Sequence, residues 1–122
     1  MLQETAPGAL QRLCAYCREA FRPRNRDARI IFCGRLCNDR AQQVRRYGLT
    51  VDDYWKMFDE QGGRCAICQE ARGRRELAID HCHTTGRVRG LLCNRCNPGL
   101  GNFRDDVARL RAAIAYLESR SA

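Results

Sequence analysis

The sequence predicts a small, zinc-stabilised α+β protein with flanking helices, and three observations support this fold class. First, nine of the 122 residues are cysteine, and eight of the cysteines fall into four close pairs. Second, short apolar stretches typical of strands alternate with segments of helical periodicity. Third, the chain has four Phe, four Tyr and one Trp, which build only a modest core in a chain of this length. Such a fold is expected to depend on metal for its stability.

The N-terminal part is predicted to be a tail followed by a small metal-binding module. Pro7 and Gly8 interrupt residues 1–13, which are expected to form a flexible tail. Residues 14–46 are expected to form a module that resembles a treble clef or a zinc ribbon and ends in a basic helix. Gly48 stands where a glycine would end that helix. The four cysteines of the module are Cys14, Cys17, Cys33 and Cys37.

Residues 47–122 are predicted to form the main domain, which begins and ends with a helix. Thr50 is a favourable N-cap with Asp53 three residues later, so a helix is expected over residues 51–60. Asp105 and Asp106 lie near the start of the last helix, which has one apolar face. This face is expected to pack against the rest of the domain, and the alternative is a contact between two copies of the chain. It consists of Val107, Leu110, Ile114 and Leu117.

Two short strands are predicted between these helices, over residues 77–80 and 88–92, with a turn at residues 84–86. Two cysteine pairs flank the strands, and their C-x2-C spacing allows both thiolates of a pair to bind one zinc ion. No sequence repeat beyond the pair spacing is expected. The ninth cysteine, Cys82, has no assigned role. The two flanking pairs are Cys65 with Cys68 and Cys93 with Cys96.

Each set of four cysteines is interpreted as a structural zinc site, because four thiolates leave no coordination position for a reacting water. The alternatives are disulfide bonds and buried thiols without metal. Disulfides are disfavoured because residues 1–13 lack the basic and apolar regions of a secretory signal. No stretch approaches the roughly 20 apolar residues of a membrane span. An intracellular protein without a membrane partner is therefore expected.

The only two histidines of the chain, His81 and His83, lie beside Asp80 between the last two cysteine pairs. An imidazole can accept a proton from water at neutral pH. Carboxylate and amide oxygens suit Mg²⁺, and Asn97 directly follows Cys96. A zinc ion on the four cysteines would hold Asn97 opposite the strand that carries the aspartate. This grouping predicts a catalytic site.

The same region resembles the HNH, or ββα-metal, endonucleases, and within them the recombination endonuclease VII family of phages and prophages. The resemblance covers roughly residues 47–117. Many relatives have an acidic residue where this chain has Cys82, so no second carboxylate is expected to act at that position. The residues that carry the resemblance are Asp80, His81, His83 and the run Gly86-Arg87-Val88-Arg89-Gly90-Leu91-Leu92-Cys93-Asn94-Arg95-Cys96-Asn97.

The resemblance implies a ββα-metal core and a role for each matching residue. His81 would be the general base that activates water, and His83 would support binding or the transition state. Asp80 and Asn97 would hold a catalytic Mg²⁺ or Mn²⁺ ion that polarises the scissile phosphate. The structural zinc ligands of this core would be Cys65, Cys68, Cys93 and Cys96.

Arginine supplies nearly all of the positive charge of the chain, whose net charge is +8 and whose only lysine is Lys56. The arginines concentrate beside the two cysteine sets, and residues 12–46 contain ten of them. Because the guanidinium fork suits phosphate, contact with a DNA backbone is favoured over a solubilising surface. The expected contacts are Arg22, Arg24, Arg26, Arg29, Arg35, Arg40, Arg45, Arg46, Arg87 and Arg89.

The sequence therefore predicts a metal-dependent DNA endonuclease that acts on duplex or branched DNA. The alternative is a non-catalytic zinc-finger DNA-binding protein or a phage packaging adapter. Among nucleases, a packaging-associated nicking enzyme, a homing or restriction nuclease and a junction resolvase all stay open. A homodimer and phage packaging proteins stay open as partners. A phage or prophage origin is expected.

Overall fold

The computed structural model describes residues 11–73 and 76–120 and divides the chain into two units, Met1–Glu60 and Gln61–Ala122. The first unit contains the strands β1 (Arg12–Leu13) and β2 (Ala20–Phe21) and the helices α1 (Arg35–Arg46) and α2 (Val51–Glu60). The second unit contains β3 (Ala78–His81), β4 (Val88–Leu92), α3 (Cys96–Asn102) and α4 (Val107–Arg120). The predicted α+β class is confirmed. In the described ranges, no helix combines the length and the apolar character that crossing a membrane requires.

The first strand lies within the stretch for which a flexible tail is predicted. β1 pairs antiparallel with β2. Nη1 of Arg12 donates hydrogen bonds to the carbonyl oxygens of Asp27 and Ile30, at 2.7 and 2.8 Å. These bonds hold β1 in place, so the expected tail ends before it. Residues 1–10 of that tail lie outside the described residues.

The two helices of the first unit begin and end as their sequences predict. Gly48 ends α1 with a φ of +75°, and its N–H donates to the carbonyl of Arg45 at 2.9 Å. α2 spans the predicted residues 51–60. Oγ1 of Thr50 accepts the N–H of Asp53 at 3.0 Å, and the Asp53 carboxylate accepts the N–H of Thr50 at 2.9 Å. These two reciprocal bonds form a capping box.

A cluster of aromatic rings joins α2 to the metal-binding part of the first unit. Tyr16 and Tyr54 are both fully buried, and their ring centroids lie 5.4 Å apart. Nε1 of Trp55 donates to the carbonyl of Tyr16 at 2.6 Å. The predicted domain boundary after residue 46 therefore differs from the observed boundary, which follows Glu60. The reason is that α2 supplies the core of the first unit.

In the second unit, β3 and β4 form the predicted antiparallel hairpin, and each strand lies within one residue of its expected position. Asp80 pairs with Gly90 and His81 pairs with Val88, so Arg89 is the extra residue of a bulge in β4. A β-bulge next to a site redirects the side chain that it carries. The core of this hairpin consists of the buried residues Leu77, Ile79, Leu91 and Leu92.

The apolar face of α4 differs from its prediction. Val107, Ile114 and Leu117 are 58%, 55% and 63% exposed, and no residue of α4 is buried. The expectation that this face packs against the rest of the domain is therefore wrong for these three side chains. The hairpin and the buried cysteines already fill the core of the second unit. A contact between two copies of the chain stays a prediction.

Candidate active site and zinc sites

Eight cysteines form two clusters, each with the geometry of a zinc site. In each cluster, the four Sγ atoms lie within 4.8 Å of one another. The Sγ atoms of Cys33 and Cys37 lie 3.5 Å apart, and those of Cys68 and Cys93 lie 3.9 Å apart. These distances match the edge of roughly 3.8 Å that a tetrahedron of sulfur atoms has when the Zn–S bonds are about 2.3 Å long. The predicted clusters are thus confirmed as able to bind zinc. The first cluster is Cys14, Cys17, Cys33 and Cys37, and the second is Cys65, Cys68, Cys93 and Cys96.

The first cysteine pair of each cluster lies on the same kind of turn. The sequence Cys-Ala-x-Cys-x-Glu-Ala occurs at residues 14–20 and again at residues 65–71. The residue after the second cysteine has a positive φ in both turns, +64° at Arg18 and +62° at Gln69. In both turns the N–H of the first cysteine donates to the carbonyl of the glutamate, at 2.9 and 3.1 Å. The expectation of no repeat beyond the pair spacing is therefore wrong.

Backbone N–H groups stabilise the thiolate form of Cys14 in the first cluster and of Cys65 and Cys93 in the second. Burial raises the pKa of Cys14, but N–H donors led by that of Cys33, 3.3 Å from its Sγ, lower this pKa to about 6. The N–H groups of Cys96 and Arg95 lower the pKa of Cys93 to about 6. Burial instead raises the pKa of the Cys96 thiol to about 12. Without a metal ion, the Cys96 side chain therefore stays a protonated thiol at neutral pH. A bound cation would have to stabilise its thiolate form.

Three of the four predicted catalytic residues, Asp80, His81 and His83, lie on the hairpin of the second unit, around an ion pair. The side chain of Asp80 is only 10% exposed. Its two carboxylate oxygens accept hydrogen bonds from Nε and Nη2 of Arg89, at 2.7 and 2.9 Å. The rings of His81 and His83 meet edge to face with centroids 4.7 Å apart. The structure thus brings one carboxylate and both imidazoles of the chain to the end of one hairpin.

A second carboxylate, Asp105, completes this cluster although the sequence pattern marks it only as part of a helix start. Its Oδ2 accepts a hydrogen bond from Nη2 of Arg89 at 3.2 Å and lies 3.5 Å from Nε2 of His83. Arg89 is predicted to contact DNA, but in the structure its guanidinium is held by Asp80 and Asp105. The nearest sequence signal is the acidic pair formed with Asp106, which by itself predicts only a favourable helix start.

Asn97 lies in the first turn of α3, where it is half-buried. The N–H of Asn97 donates to the carbonyl of Cys93 at 3.1 Å, which ties this residue to the second cluster. The described hydrogen bonds of the Asp80 side chain both come from Arg89. Joint coordination of one cation by Asp80 and Asn97 is therefore still a prediction.

The arginines of the first unit are not equally placed for contact with DNA. Arg40 is half-buried, and its buried Nε has no hydrogen-bond partner among the described residues. Arg29 is bonded to the carboxylate of Asp27 at 2.7 Å. A groove of about 500 Å³ beside the first cluster is lined by Phe21, Phe32 and four of the expected arginines, Arg22, Arg24, Arg29 and Arg35. Of the other expected contacts, Arg26, Arg45 and Arg46 of the first unit and Arg87 of the second unit are also exposed.

Cys82 belongs to neither cluster and lies half-exposed in the turn between β3 and β4. A hydrogen bond from the side chain of Thr85, helped by backbone N–H groups, lowers the pKa of its thiol to about 7. A fraction of this thiol is therefore ionised at neutral pH.

Comparisons with known proteins place the chain in a family. The model of the recombination endonuclease VII family matches residues 40–119. The Gene 59 proteins of Mycobacterium phages D29 and L5 are 53% and 52% identical to the chain over 73 residues, which are 58% of this chain and 44% of each relative. The chain thus spans less than half the length of these curated relatives. The chain is also similar to the crystal structure of the ββα-Me type II restriction endonuclease Hpy99I. The two sequences are 27% identical and the TM-score is 0.44, and the match covers 91% of this chain and 66% of that one. Because the family match covers about two thirds of its residues, the chain belongs to the recombination endonuclease VII family.

Proposed function

We propose that this chain is a metal-dependent DNA endonuclease of the HNH type that hydrolyses phosphodiester bonds. One observation carries the proposal: His81, His83 and the buried carboxylate of Asp80 lie together on one hairpin beside a four-cysteine cluster. Membership of the recombination endonuclease VII family supports the same reading. The two relatives from mycobacteriophages support a phage or prophage origin and action inside the host cell.

In this proposal, His81 is the general base that takes a proton from the attacking water. It ends β3, directly after the residue whose carboxylate is buried. His83 is 69% exposed and can contact a phosphate oxygen or the leaving group. The edge-to-face contact between the two rings limits the orientations that each imidazole can adopt.

The chain offers hard oxygen donors for a catalytic divalent cation at Asp80 and Asn97. Mg²⁺ and Mn²⁺ prefer such donors. Each carboxylate oxygen can accept two contacts, so the hydrogen bonds from Arg89 leave Asp80 with capacity for a cation. When bound, the cation supplies charge that polarises the scissile phosphate and stabilises the leaving oxyanion. The donor set therefore fits the predicted cation.

The first unit is proposed to hold DNA through its phosphates. The groove beside the first cluster presents four arginines, and no acidic side chain is among the residues described as lining it. Phosphate contacts of this kind position a protein on DNA without reading its sequence. Zinc in the two clusters would fix the backbone that carries the arginines and the catalytic hairpin.

A cleavage assay tests the proposal. The zinc-loaded chain is incubated with supercoiled plasmid, linear duplex and a four-way junction, with Mg²⁺, with Mn²⁺ or without added divalent cation. Nicked or linear products that require the cation are expected. Comparing the rates on the junction and on the matched duplex identifies the preferred DNA, and size-exclusion chromatography in the same buffer shows whether the chain acts as a homodimer.

The rival function, a DNA-binding or packaging adapter, makes the opposite prediction. An adapter would bind the same three DNAs and leave all of them intact with either cation. Intact DNA together with tight binding by a folded, zinc-loaded chain would therefore overturn the proposed endonuclease and favour the adapter.

A further inference from the structure

Three side chains of the second unit, Asp80, Arg89 and Asp105, form a row of alternating charge that the proposed catalytic roles do not explain. Asp80 is bonded to Arg89 at 2.7 and 2.9 Å, and Arg89 is bonded to Asp105 at 3.2 Å. His83 follows at 3.5 Å from the same carboxylate oxygen of Asp105. Two carboxylates and one guanidinium give the row a formal charge of −1. The guanidinium of Arg89 is thus the counter-charge of two carboxylates, Asp80 and Asp105.

Arg89 acts as the counter-charge that a buried Asp80 requires. A carboxylate that is 10% exposed has lost most of its water, and an ionised group in that position is costly unless it is paired. Arg89 meets both carboxylate oxygens with its planar fork, the geometry that makes such pairs strong. Arg89 is the extra residue of the bulge in β4, next to Gly90, which pairs with Asp80. Arg89 therefore supplies the counter-charge of Asp80, with one hydrogen bond to each carboxylate oxygen, while no other cation is bound.

Asp105 is held beside Arg89 by an unusual backbone conformation. Asp105 has a φ of +55° and Arg104 before it a φ of +59°, and non-glycine residues adopt this left-handed region at a cost. The N–H of Asp105 donates to the carbonyl of Leu100 at 2.9 Å, which fixes the turn between α3 and α4. The Asp105 side chain is only 17% exposed. The turn thus directs a carboxylate toward Arg89 at the expense of local strain.

We propose that Arg89 competes with the catalytic divalent cation for Asp80, and that Asp105 is the positioning residue that retains Arg89 when it moves away from Asp80. This inference rests on the proposed function, because it assumes that Asp80 is a cation ligand. A guanidinium and a divalent cation on one carboxylate repel each other. Asp105 gives the guanidinium a second acceptor, so Arg89 can loosen its hold on Asp80 without losing all of its charge pairing.

The inference predicts opposite effects from two substitutions in the same row. Arg89→Met removes the competing charge and takes the row from −1 to −2, so cation binding should become tighter. Asp105→Asn takes the row from −1 to 0 and leaves Arg89 to Asp80 alone, so cation binding should become weaker. Asparagine keeps the size of the side chain and tolerates the left-handed conformation. If Arg89 or Asp105 served only to stabilise the fold, both substitutions would weaken binding.

The test measures Mn²⁺ binding to the zinc-loaded full chain, without DNA, by electron paramagnetic resonance. We expect a decrease of about fivefold in the Kd for Arg89→Met and an increase of about fivefold for Asp105→Asn, as for one unit of charge close to the site. Thermal unfolding establishes that each variant is folded. If Arg89→Met does not fold, Arg89→Gln, which keeps a hydrogen-bond donor for Asp80, replaces it with the same expected direction.

The control Asp80→Asn separates this inference from the proposed function. If wild-type protein binds Mn²⁺ and Asp80→Asn abolishes the binding, the cation site stands. Unchanged or weaker binding by the Arg89 variant, or unchanged or tighter binding by Asp105→Asn, would then overturn the competition alone. If Asp80→Asn binds Mn²⁺ as the wild type does, Asp80 is not a ligand, and both the cation site and the competition are wrong.

Discussion

Cys82 is the cysteine that zinc should leave chemically accessible. It is half-exposed, and the Thr85 hydroxyl lowers the pKa of its thiol to about 7. The other eight thiols lie in the two clusters, where zinc would protect them from reagents. In the zinc-loaded chain we expect one thiol to react fast with Ellman's reagent. After denaturation in the presence of a chelator, all nine thiols should react.

The variant Cys82→Ser identifies that thiol. It should remove the fast phase and leave the slow phase unchanged, with zinc content and DNA cleavage as in the wild type. Two or more fast thiols in the zinc-loaded wild type would mean that at least one cluster does not hold metal.

The grouping of three candidate site residues could be predicted because those residues are close along the chain. Asp80, His81 and His83 lie within four positions, so a strand and its turn necessarily bring them together. Asp105 lies 16 positions beyond Arg89, and its approach depends on two left-handed residues between α3 and α4. Non-glycine residues give little sign in a sequence that they adopt that conformation, so the spacing did not predict this carboxylate.

At the scale of single elements, the capping box of α2 makes a quantitative prediction. Thr50→Ala removes the hydroxyl that accepts the N–H of Asp53, and the free energy of unfolding should fall by about 1 kcal/mol. Thr50→Ser keeps that acceptor and should stay near the wild-type value. Urea denaturation of the zinc-loaded chain measures both. Equal stability of the alanine and serine variants would contradict a role for the cap.

The ends of helices could be predicted from the sequence because local hydrogen bonds and backbone preferences determine them. The packing of a helix face could not, because it depends on residues far away along the chain. The cap at Thr50 and the glycine at position 48 are local signals, and both helix ends lie where they predict. The face of α4 has the periodicity of a packed helix, yet Val107, Ile114 and Leu117 are mostly exposed. Periodicity shows that a helix has an apolar face but does not identify what covers it.

At the scale of the whole molecule, two zinc ions should be bound per chain, one in each cluster. Zinc released under denaturing conditions and measured with a chromogenic chelator should give two equivalents. Replacing Cys14 and Cys37 by serine should reduce the content to one. If the modest core depends on these ions, as expected for a chain of this composition, chelation of wild-type protein should cause loss of folded structure by circular dichroism. A metal-free chain with an unchanged spectrum would contradict this dependence.

The division into two units was not predictable from the cysteine spacing alone. The spacing identified both clusters, but the position of α2 depends on how Tyr16, Tyr54 and Trp55 pack together. Ring packing of this kind involves residues 38 positions apart, Tyr16 and Tyr54, and has no local signature in the sequence.

The groove of the first unit predicts how DNA affinity depends on salt. Each phosphate contact makes the slope of log K against log salt concentration more negative by about 0.9, so replacing Arg22 and Arg24 by alanine should make that slope less negative by about 2. Replacing Arg111 and Arg120 of α4 removes the same charge from the other unit and should leave the slope nearly unchanged. Fluorescence anisotropy without divalent cation measures both. Equal slopes for the two double variants would mean that the groove is not the DNA contact.

In the proposed mechanism, His81 activates the water for a metal-dependent cleavage of DNA. The single-turnover rate of His81→Ala on supercoiled plasmid with Mn²⁺, under conditions in which all of the DNA is bound, tests this role. The loss of a general base should lower that rate by about 10² to 10⁴-fold, while DNA affinity, zinc content and thermal stability stay at wild-type values. A His81→Ala chain that cleaves at the wild-type rate would show that His81 is not the general base.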